Sequence, residues 1–308
     1  LLSLLLLLFP SPHPLPFSSP LTSRFVDLFD MEDGGAGGAW DSIVIRRHKF
    51  TSPRKRKKTE MFRTCRDMIS GEDESQLEEE LEKDEELRKY WKLRYTLFSL
   101  YDHGVKLDRE SWYSVTPEEL SKHHAFKCSG DFVLDAFCGA GGNAIQLALT
   151  CRRVWACDID PEKIKLAKHN AKIYGVDHKI EFVVGNFVEL AQSGSFSTWM
   201  DVVFLAPPWG GPEYSNTQVF DIHHLPIDCE LLFRQSIKIA SSVAMYLPKN
   251  INIAQLVALS ALAGEGGGGG GGVCAHGYPL EVEKNLVNCR IKAVTAYYGD
   301  IAERRTEG

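Results

Sequence analysis

The stretch DFVLDAFCGAGGNAIQLALT, residues 131–150, contains the pattern from which the fold is predicted. Its apolar beginning, DFVLDAF, predicts a β-strand, and GNAIQLALT predicts the helix that follows it. The glycine-rich turn between them brings the helix N-terminus close to the strand end, an arrangement that binds polar or anionic ligands. Asp135 stands just before the glycines, however, and its carboxylate favours a ligand with a positive centre.

The alternation of strands and helices continues along the chain. RVWACDID (153–160) predicts a second strand, and PEKIKLAKHNAKIYG predicts a second helix with Pro161 in its first turn. Three further strands are predicted in KIEFVVGNF, MDVVFLAPP and SVAMYLP, and EVEKNLVNCRIKAVTAYYG predicts two antiparallel strands. We therefore expect an α/β fold: a Rossmann-like, mainly parallel seven-stranded sheet with an antiparallel C-terminal strand and a small N-terminal helical extension.

Polar residues follow the first three predicted strands, at the edge where such sheets bind ligands. The glycine spacing is G-x-G-G, unlike the G-x-G-x-x-G of dinucleotide-binding proteins. Asp158 can hydrogen-bond ribose hydroxyls, although it could instead cap a helix, a role that Asp160 fits better. Asn186 can hydrogen-bond the edge of an adenine. A ligand with an adenine, a ribose and a positive centre would match Asn186, Asp158 and Asp135, so these residues together predict S-adenosylmethionine as the cofactor. The predicted contacts are Asp135, Ala136, Phe137, Gly139, Gly141, Asn143, Asp158, Ile159, Asn186 and Phe187.

The fourth strand of this series ends in FLAPPWGGPEY, residues 204–214. A Pro-Pro-aromatic sequence there resembles the site of amino-group methyltransferases. Because an amine conjugated to a base is a weak nucleophile, its lone pair has to be aimed at the methyl group. Carbonyls fixed by prolines can accept the amine hydrogens, and an aromatic face can hold the base. Such positioning supplies at most about 7–11 kcal/mol; the alternative is a rigid loop with a packed Trp209.

Four motifs together resemble the trimethylguanosine synthase family of cap methyltransferases. They are PPWGGPEY, DAFCGAGGN, CDIDPEKIKLAKHNAKIYG and YWKLRYTLFSLYDHGVKLDRESWYSVTPE, and the resemblance covers roughly residues 87–308 apart from a glycine run. It implies a class I methyltransferase that uses S-adenosylmethionine to methylate the exocyclic N2 of 7-methylguanosine caps on small nuclear and nucleolar RNAs. The product would be the 2,2,7-trimethylguanosine cap. The alternatives are a methyltransferase for an internal RNA base amine and a non-catalytic cap-binding scaffold.

The resemblance also implies roles for individual residues. Trp209 would stack on the cationic 7-methylguanine, which adds a cation–π term of about 1–2 kcal/mol, while the carbonyls of Pro207 and Pro208 aim the amine. The remaining implied contacts are Asn170 with the cap base edge, Lys89, Ser114 and Lys249 with cap phosphates, and Phe98, Thr116 and Pro117 with the methyl donor. The alternative for Phe98 is a core aromatic, and for Lys249 a solvated charge.

Ala206 departs from the family, which has serine at the matching position. Alanine offers no side-chain acceptor for the amine, so this contact would fall to the Pro207 carbonyl. We therefore predict slower or less processive methylation, and Ala206 is counted with the catalytic motif.

The remaining segments set the predicted domain boundaries. Residues 1–76 are predicted to be a disordered leader with a basic run, of which 1–30 is an unfolded leader or an artefact of the gene model. Residues 77–130 are predicted to be a helical extension that packs on the active site, and 131–308 the methyltransferase domain. The run GEGGGGGGG at 264–272 predicts a flexible loop.

Charge and cysteine usage restrict the partners and the compartment. The stretch 46–58 carries +8 and 72–86 carries −9, so the chain lacks the broad basic surface of a duplex-binding protein. PRKRKK at 53–58 predicts nuclear import or is simply a solvated charge run. The resemblance implies the nucleolus or Cajal body, with some cytoplasmic protein. Eight cysteines without a CxxC pair predict no metal site and a reduced compartment. Expected partners are the capped RNAs and their core ribonucleoproteins, with no membrane and a monomeric chain.

Overall fold

The computed structural model describes residues 43–50, 85–196, 199–211, 214, 217–262 and 278–304. All of these residues belong to one compact unit that spans 38–308. The predictions for residues 1–42, for the basic run 53–58 and for the glycine run 264–272 lie outside the described residues.

A single sheet organises the described residues. Its strands are β1 Ile43–Phe50, β2 Phe132–Asp135, β3 Arg153–Asp158, β4 Ile180–Val184, β5 Met200–Leu205, β6 Ala240–Pro248, β7 Leu280–Val287 and β8 Arg290–Tyr298. They follow the order β1-β7-β8-β6-β5-β2-β3-β4. β8 is antiparallel to both neighbours, and the other pairs are parallel. The predicted α/β class and mainly parallel sheet are confirmed.

Helices cover both faces of this sheet. They are α1 Glu85–Trp91, α2 Arg94–Leu97, α3 Ser111–Ser114, α4 Glu118–Lys127, α5 Gly142–Thr150, α6 Pro161–Ile173, α7 Phe187–Gln192, α8 Cys229–Ser236 and α9 Ile253–Leu262. Successive strand residues enter different apolar clusters: Val133 packs with Ile145 of α5, whereas Leu134 packs in the cluster of Phe233 from α8. This is why the inner strands are apolar throughout. Among the described helices, none has the length and apolarity needed to cross a bilayer.

The first strand corrects the predicted disorder of residues 31–76 for one stretch. Ile43–Phe50 pairs in parallel with β7, from Ile43 opposite Leu280 to Phe50 opposite Val287, and adds an eighth strand to the seven expected. The alternation of apolar and polar residues in this strand is hard to recognise in the sequence because several of its residues are basic. Ile45 packs against the apolar core on one face, while Arg46 on the other face forms an ion pair with Glu281 at 2.6 Å.

The last two strands form a tight hairpin, as their sequence predicts. The turn residues Asn288 and Cys289 have φ angles of 50° and 62°. Two consecutive positive φ values are typical of a type I′ turn, whose twist suits an antiparallel pair. The turn reverses the chain so that β8 fills the gap between β6 and β7.

The helical extension is anchored to the rest of the domain by one carboxylate. Glu118 accepts hydrogen bonds from the Ser99 backbone, the Ser99 hydroxyl and the hydroxyl of Tyr174, which follows α6. Although burial opposes ionisation, these bonds and Lys122 lower the pKa of Glu118. The segment between β1 and β2 is thereby fixed beside the carboxyl ends of the strands.

Candidate active site

The glycine turn after β2 has a backbone that side chains would disturb. Gly139 and Gly141 have φ angles of 51° and 92°, in the left-handed region. A β-carbon on Gly141 would lie 3.1 Å from the Cα of Ala167, and one on Gly142 would lie 3.1 Å from Cγ1 of Val115. The glycines therefore allow α5 to begin directly against α6 and the helical extension.

Asp135 is buried at the end of β2 with part of its carboxylate unpaired. Its Oδ1 accepts a bond of 3.4 Å from the Phe137 amide, and its Oδ2 is buried without a hydrogen-bond partner in the described part of the chain. Burial raises the pKa of Asp135 to about 7, and the charge of Asp158 adds to the effect. An unpaired buried carboxylate oxygen is costly on its own and is stabilised by a cation.

Asp158, at the end of β3, shapes the same turn. Its Oδ2 accepts the Gly139 amide at 2.9 Å, and its Oδ1 accepts the Asp160 amide at 3.0 Å. Asp160 caps α6 by accepting the Glu162 amide at 2.8 Å, so the helix-cap alternative belongs to Asp160. Ile159 beside them is 70% exposed, which leaves an apolar side chain at the carboxyl edge of the sheet.

The residues after β4 are placed differently from the prediction. Asn186 caps α7, because its side-chain oxygen accepts the Val188 amide at 2.9 Å. The ring of Phe187 is buried, and its centroid lies 6.2 Å from that of Phe137 in the apolar core. The predicted cofactor contact of the Phe187 side chain is therefore corrected to a packing role. For Asn186 the adenine contact stays a prediction.

Residues of the helical extension lie directly on the glycine turn. A β-carbon on Gly142 would lie 3.8 Å from the Thr116 carbonyl oxygen and 3.9 Å from Cζ of Phe98. Asn143 donates its amide hydrogen to the Thr116 hydroxyl at 3.0 Å. Pro117 precedes α4, and its carbonyl accepts the amides of Leu120 and Ser121 in that helix, both at 2.9 Å. The structure thus brings Phe98 and Thr116 to the turn. Phe98 is also a buried core aromatic, and contact of these residues with the donor stays a prediction.

A buried histidine that the sequence did not indicate supports Asn143. His124 Nδ1 lies 3.3 Å from the Asn143 side-chain oxygen, and His124 Nε2 lies 2.9 Å from the Thr295 hydroxyl. Burial lowers the pKa of His124 to about 3, so the ring is neutral at pH 7. Its partners are 19 and 171 residues away, and only the fold brings them together.

The loop after β5 carries the Pro-Pro-Trp motif to the neighbouring strand end. Asp135 lies opposite Phe204 in the sheet, and the Phe204 carbonyl accepts the Ala136 amide at 3.0 Å. Ala206 therefore lies two residues beyond Phe204, the residue that faces Asp135 in the neighbouring strand. Pro207 is buried, whereas Pro208 is exposed. The predicted donor region and the predicted acceptor frame are thus adjacent.

Trp209 is held on two sides by aromatic residues that sequence reasoning missed. Its indole nitrogen donates to the Tyr246 carbonyl at 3.2 Å, and the two ring centroids are 5.2 Å apart. The Tyr214 ring meets Trp209 edge-on, with centroids 5.1 Å apart and planes at 85°. Gly210 and Gly211 have φ angles of 85° and 87°, which lets the chain turn immediately after the indole. The ring is half-buried and fixed in orientation.

Three predicted phosphate ligands are exposed. Lys249 follows β6, whose Met245 lies opposite Leu205 of β5, and the next residue, Asn250, donates to the Tyr214 carbonyl at 3.0 Å. Lys89 and Ser114 are exposed on α1 and α3. Burial raises the pKa of Tyr214, and the neighbouring Tyr90 of α1 adds to the effect. Phosphate binding by Lys249, Lys89 and Ser114 stays a prediction.

Asn170 contradicts its predicted contact with a cap base. The side chain is fully buried. Its oxygen accepts the Lys106 amide at 2.9 Å, and its nitrogen donates to the carbonyls of Lys106 and Ala140, both at 2.9 Å. With its donors and acceptor engaged, Asn170 ties the extension to the glycine turn.

Comparisons with known proteins agree with this geometry. The family model described as RNA cap guanine-N2 methyltransferase matches residues 130–300. The chain is 41% identical over 184 residues to the trimethylguanosine synthase of Schizosaccharomyces pombe, covering 57% of this chain and 76% of that protein. It is 35% identical over 212 residues to the Saccharomyces cerevisiae trimethylguanosine synthase, covering 66% and 67%. In fold, it resembles a solved Porphyromonas gingivalis W83 structure described as a methyltransferase, with a TM-score of 0.53 at 15% identity over 70% of this chain and 48% of that chain.

Proposed function

This chain belongs to the RNA cap guanine-N2 methyltransferase family, and from that premise we propose that it converts 7-methylguanosine caps of small nuclear and nucleolar RNAs into 2,2,7-trimethylguanosine caps. The observation that carries this proposal is the adjacency of two strand ends. Asp135, with its unpaired buried oxygen, lies opposite Phe204, and the Pro-Pro-Trp frame starts three residues later. A cation-binding carboxylate next to an aromatic frame suits methyl transfer to a base amine.

The residues around the glycine turn fit S-adenosylmethionine, which would supply the methyl group as a sulfonium. Asp135 Oδ2 would face the positive end of the donor, because this buried oxygen lacks any other partner among the described residues. Asp158 would accept ribose hydroxyls while it keeps its two backbone bonds. The exposed Ile159 side chain would lie against the adenine. Phe98 and Thr116 would close the site from the side of the extension.

The acceptor frame would position a weakly nucleophilic amine. The Pro207 and Pro208 carbonyls would accept the amine hydrogens, since the rings fix the backbone and the glycines that follow permit the turn. Trp209 would stack on the base, and the positive charge that N7 methylation confers strengthens the stack. The conjugated amine would release its proton to water, so this part of the chain needs no general base.

The phosphates of the cap would meet the cations beside the Trp209 loop. Lys249 and Lys89 are exposed there, and Ser114 can donate a hydroxyl hydrogen. A lysine offers a point charge instead of the bidentate fork of arginine, so we expect loose phosphate recognition. The site would grip a short, capped end and not a duplex.

The cellular setting is part of the proposal. The basic sequence PRKRKK at 53–58 supports nuclear import, which would bring the enzyme to small nuclear and nucleolar RNAs. We propose that it acts in the nucleolus or Cajal body and contacts the core ribonucleoproteins of its substrates.

Methyl transfer to defined caps tests the proposed function. The full chain would be incubated with labelled S-adenosylmethionine and 7-methylguanosine-capped, guanosine-capped or uncapped RNA, and the mono- and dimethylated products counted. Trp209→Ala is expected to lower kcat/KM for the methylated cap by roughly thirtyfold, as a loss of about 2 kcal/mol implies. The matched control is Trp199→Ala, because Trp199 is 55% exposed and precedes β5 at its opposite end.

Two outcomes would contradict the proposal. Equal labelling of capped and uncapped RNA would indicate an internal base amine as the acceptor. Donor binding without any turnover on the methylated cap would indicate a cap-binding scaffold. Full activity of Trp209→Ala would contradict the stacking role alone.

A further inference from the structure

Two histidines and a glutamate from three separate elements meet away from the methyl-transfer residues. They are His48 on β1, His123 on α4 and Glu283 on β7. His123 Nε2 lies 2.7 Å from one oxygen of Glu283, and His48 Nε2 lies 3.6 Å from the other. The two imidazole centroids are 4.1 Å apart. One nitrogen or oxygen from each residue lies within 4.8 Å of the other two.

Two residues of the cluster, Glu283 and His123, are buried, and the third, His48, is partly exposed to solvent. The side chains of Glu283 and His123 are only 1% and 8% exposed, whereas His48 on the edge strand is 27% exposed. Glu283 Oε1, which faces His48, is buried without a hydrogen-bond partner in the described ranges. A buried carboxylate oxygen is thus directed at the cluster, and His48 leaves a route from solvent.

Neighbouring cations are already neutralised by a second glutamate. Glu281, two residues before Glu283 on the same face of β7, forms ion pairs with Lys127 at 2.7 Å and with Arg46 at 2.6 Å. Glu283, in contrast, contacts both histidines.

We propose that His48, His123 and Glu283 bind a divalent transition metal ion, with Zn²⁺ as the best fit. Two imidazoles and one carboxylate form an established zinc ligand set, with metal–ligand bonds of about 2.0–2.2 Å. Tetrahedral geometry at these bond lengths places ligand atoms roughly 3.3 Å apart, which small side-chain rotations achieve here. A water molecule completes the shell on the exposed side of His48. The ion ties the edge strand to α4 and β7 and takes no part in methyl transfer.

Metal titration of the full chain tests this site. The chelator-stripped protein would be titrated with ZnCl₂ against a competing chelator, and with CoCl₂ by visible absorption. We expect one tight ion per chain and a cobalt spectrum of four- or five-coordinate nitrogen and oxygen ligands. Affinity should fall at least a hundredfold in His123→Gln and Glu283→Gln. His178→Gln is the matched control, because His178 is an exposed histidine, and it should keep the wild-type affinity.

His48→Gln keeps the test decisive if the buried variants fail to fold. His48 lies on the edge strand and is partly exposed, so this variant should fold and still lose the ion. Amide hydrogen exchange of residues 43–50 should slow when Zn²⁺ is added to the wild type and not in His48→Gln. The proposal is overturned if the wild type binds no ion, if His48→Gln binds as tightly, or if cobalt shows a thiolate charge-transfer band.

Discussion

The glycine turn after β2 and the Trp209 loop after β5 follow neighbouring strands, yet they are made rigid in different ways. The turn is fixed by backbone contacts, with Gly141 against Ala167 and the Gly139 amide on Asp158. The loop is fixed by proline rings and by aromatic packing of Trp209 on Tyr214 and Tyr246. A substitution at Gly141 adds atoms where the backbone leaves no space for them. A substitution that shortens an aromatic side chain of the loop removes only part of its packing. Substitutions should therefore act abruptly in the turn and gradually in the loop.

The largest effect is expected at Gly141. In Gly141→Ala, the left-handed φ and the contact with Ala167 should together reduce the free energy of unfolding by about 2–5 kcal/mol. Gly139→Ala is the control, because a β-carbon there meets nothing within 4 Å and only the left-handed conformation is penalised, by about 1–2 kcal/mol. Urea denaturation measures both values. Equal losses would show that contact with α6 does not constrain the turn.

Asp135 should have the next largest effect, on donor affinity. Asp135→Asn removes a charged partner worth about 1.5–3 kcal/mol, so the Kd for S-adenosylmethionine should rise roughly 10- to 150-fold by calorimetry. Asp131→Asn, on an exposed aspartate just before β2, should bind normally. Normal binding by Asp135→Asn would remove this carboxylate from the donor site.

The raised pKa of Asp135 also predicts how binding and stability depend on pH. The folded protein holds the proton up to about pH 7, whereas an unfolded chain releases it near the ordinary value of 3.8. Ionisation of Asp135 therefore reduces folding stability as pH rises through that window, and donor affinity increases over the same range. Below pH 7, affinity should fall by up to about tenfold per pH unit. Asp135→Asn should lose this dependence, and an unchanged pH profile would contradict the assignment.

A smaller, graded effect is expected at Tyr214. Tyr214→Ala removes an edge-on aromatic contact worth about 0.5–1.5 kcal/mol, so KM for capped RNA should rise roughly two- to tenfold. The Kd for the donor should stay unchanged, since Tyr214 contacts the loop and not the glycine turn. Phe126→Ala, at a half-exposed aromatic on α4, serves as the control. A weakened donor affinity would show that the two regions are coupled.

The smallest effect is expected at Ala206. Ala206→Ser adds a hydroxyl acceptor for the amine, and a neutral hydrogen bond at the low end of about 0.5–1.5 kcal/mol gives roughly a twofold gain. The ratio of dimethylated to monomethylated cap, followed by chromatography, should rise. If both methylation steps keep their wild-type rates, this position does not limit the reaction.

Local patterns in the sequence were sufficient to predict most of the fold and to name the strand ends that carry the candidate site. The strand, turn and helix around Asp135 can be recognised from the apolar run, the glycines and the helical pattern within residues 131–150, and the Pro-Pro-Trp frame is rigid by its own composition. Apolar runs of the inner strands are visible because both faces are covered. The predicted hairpin of β7 and β8 rests on a two-residue turn. These features depend little on distant parts of the chain.

The features that sequence reasoning missed depend on partners far along the chain. Asn170 bonds Lys106, 64 residues away, so a polar residue on a helix looked available for a ligand when it is fully engaged. β1 resembles a basic linker because Arg46 finds its counter-charge only on β7. The separation of His123 from Glu283, 160 residues, hides that cluster as well.

The pairing of β1 with β7 has a consequence for how the protein is made. Ile43 leaves the ribosome long before Leu280, its partner in the sheet, has been synthesised. The strand has no hydrogen-bonded partner in β7 while the residues between Phe50 and Leu280 are being synthesised, and exposed strands tend to associate with other chains. Arg46, Arg47 and Lys49 give it a concentrated positive charge, which discourages self-association until β7 arrives. The same basic residues that disguise this strand in the sequence thus protect the nascent chain.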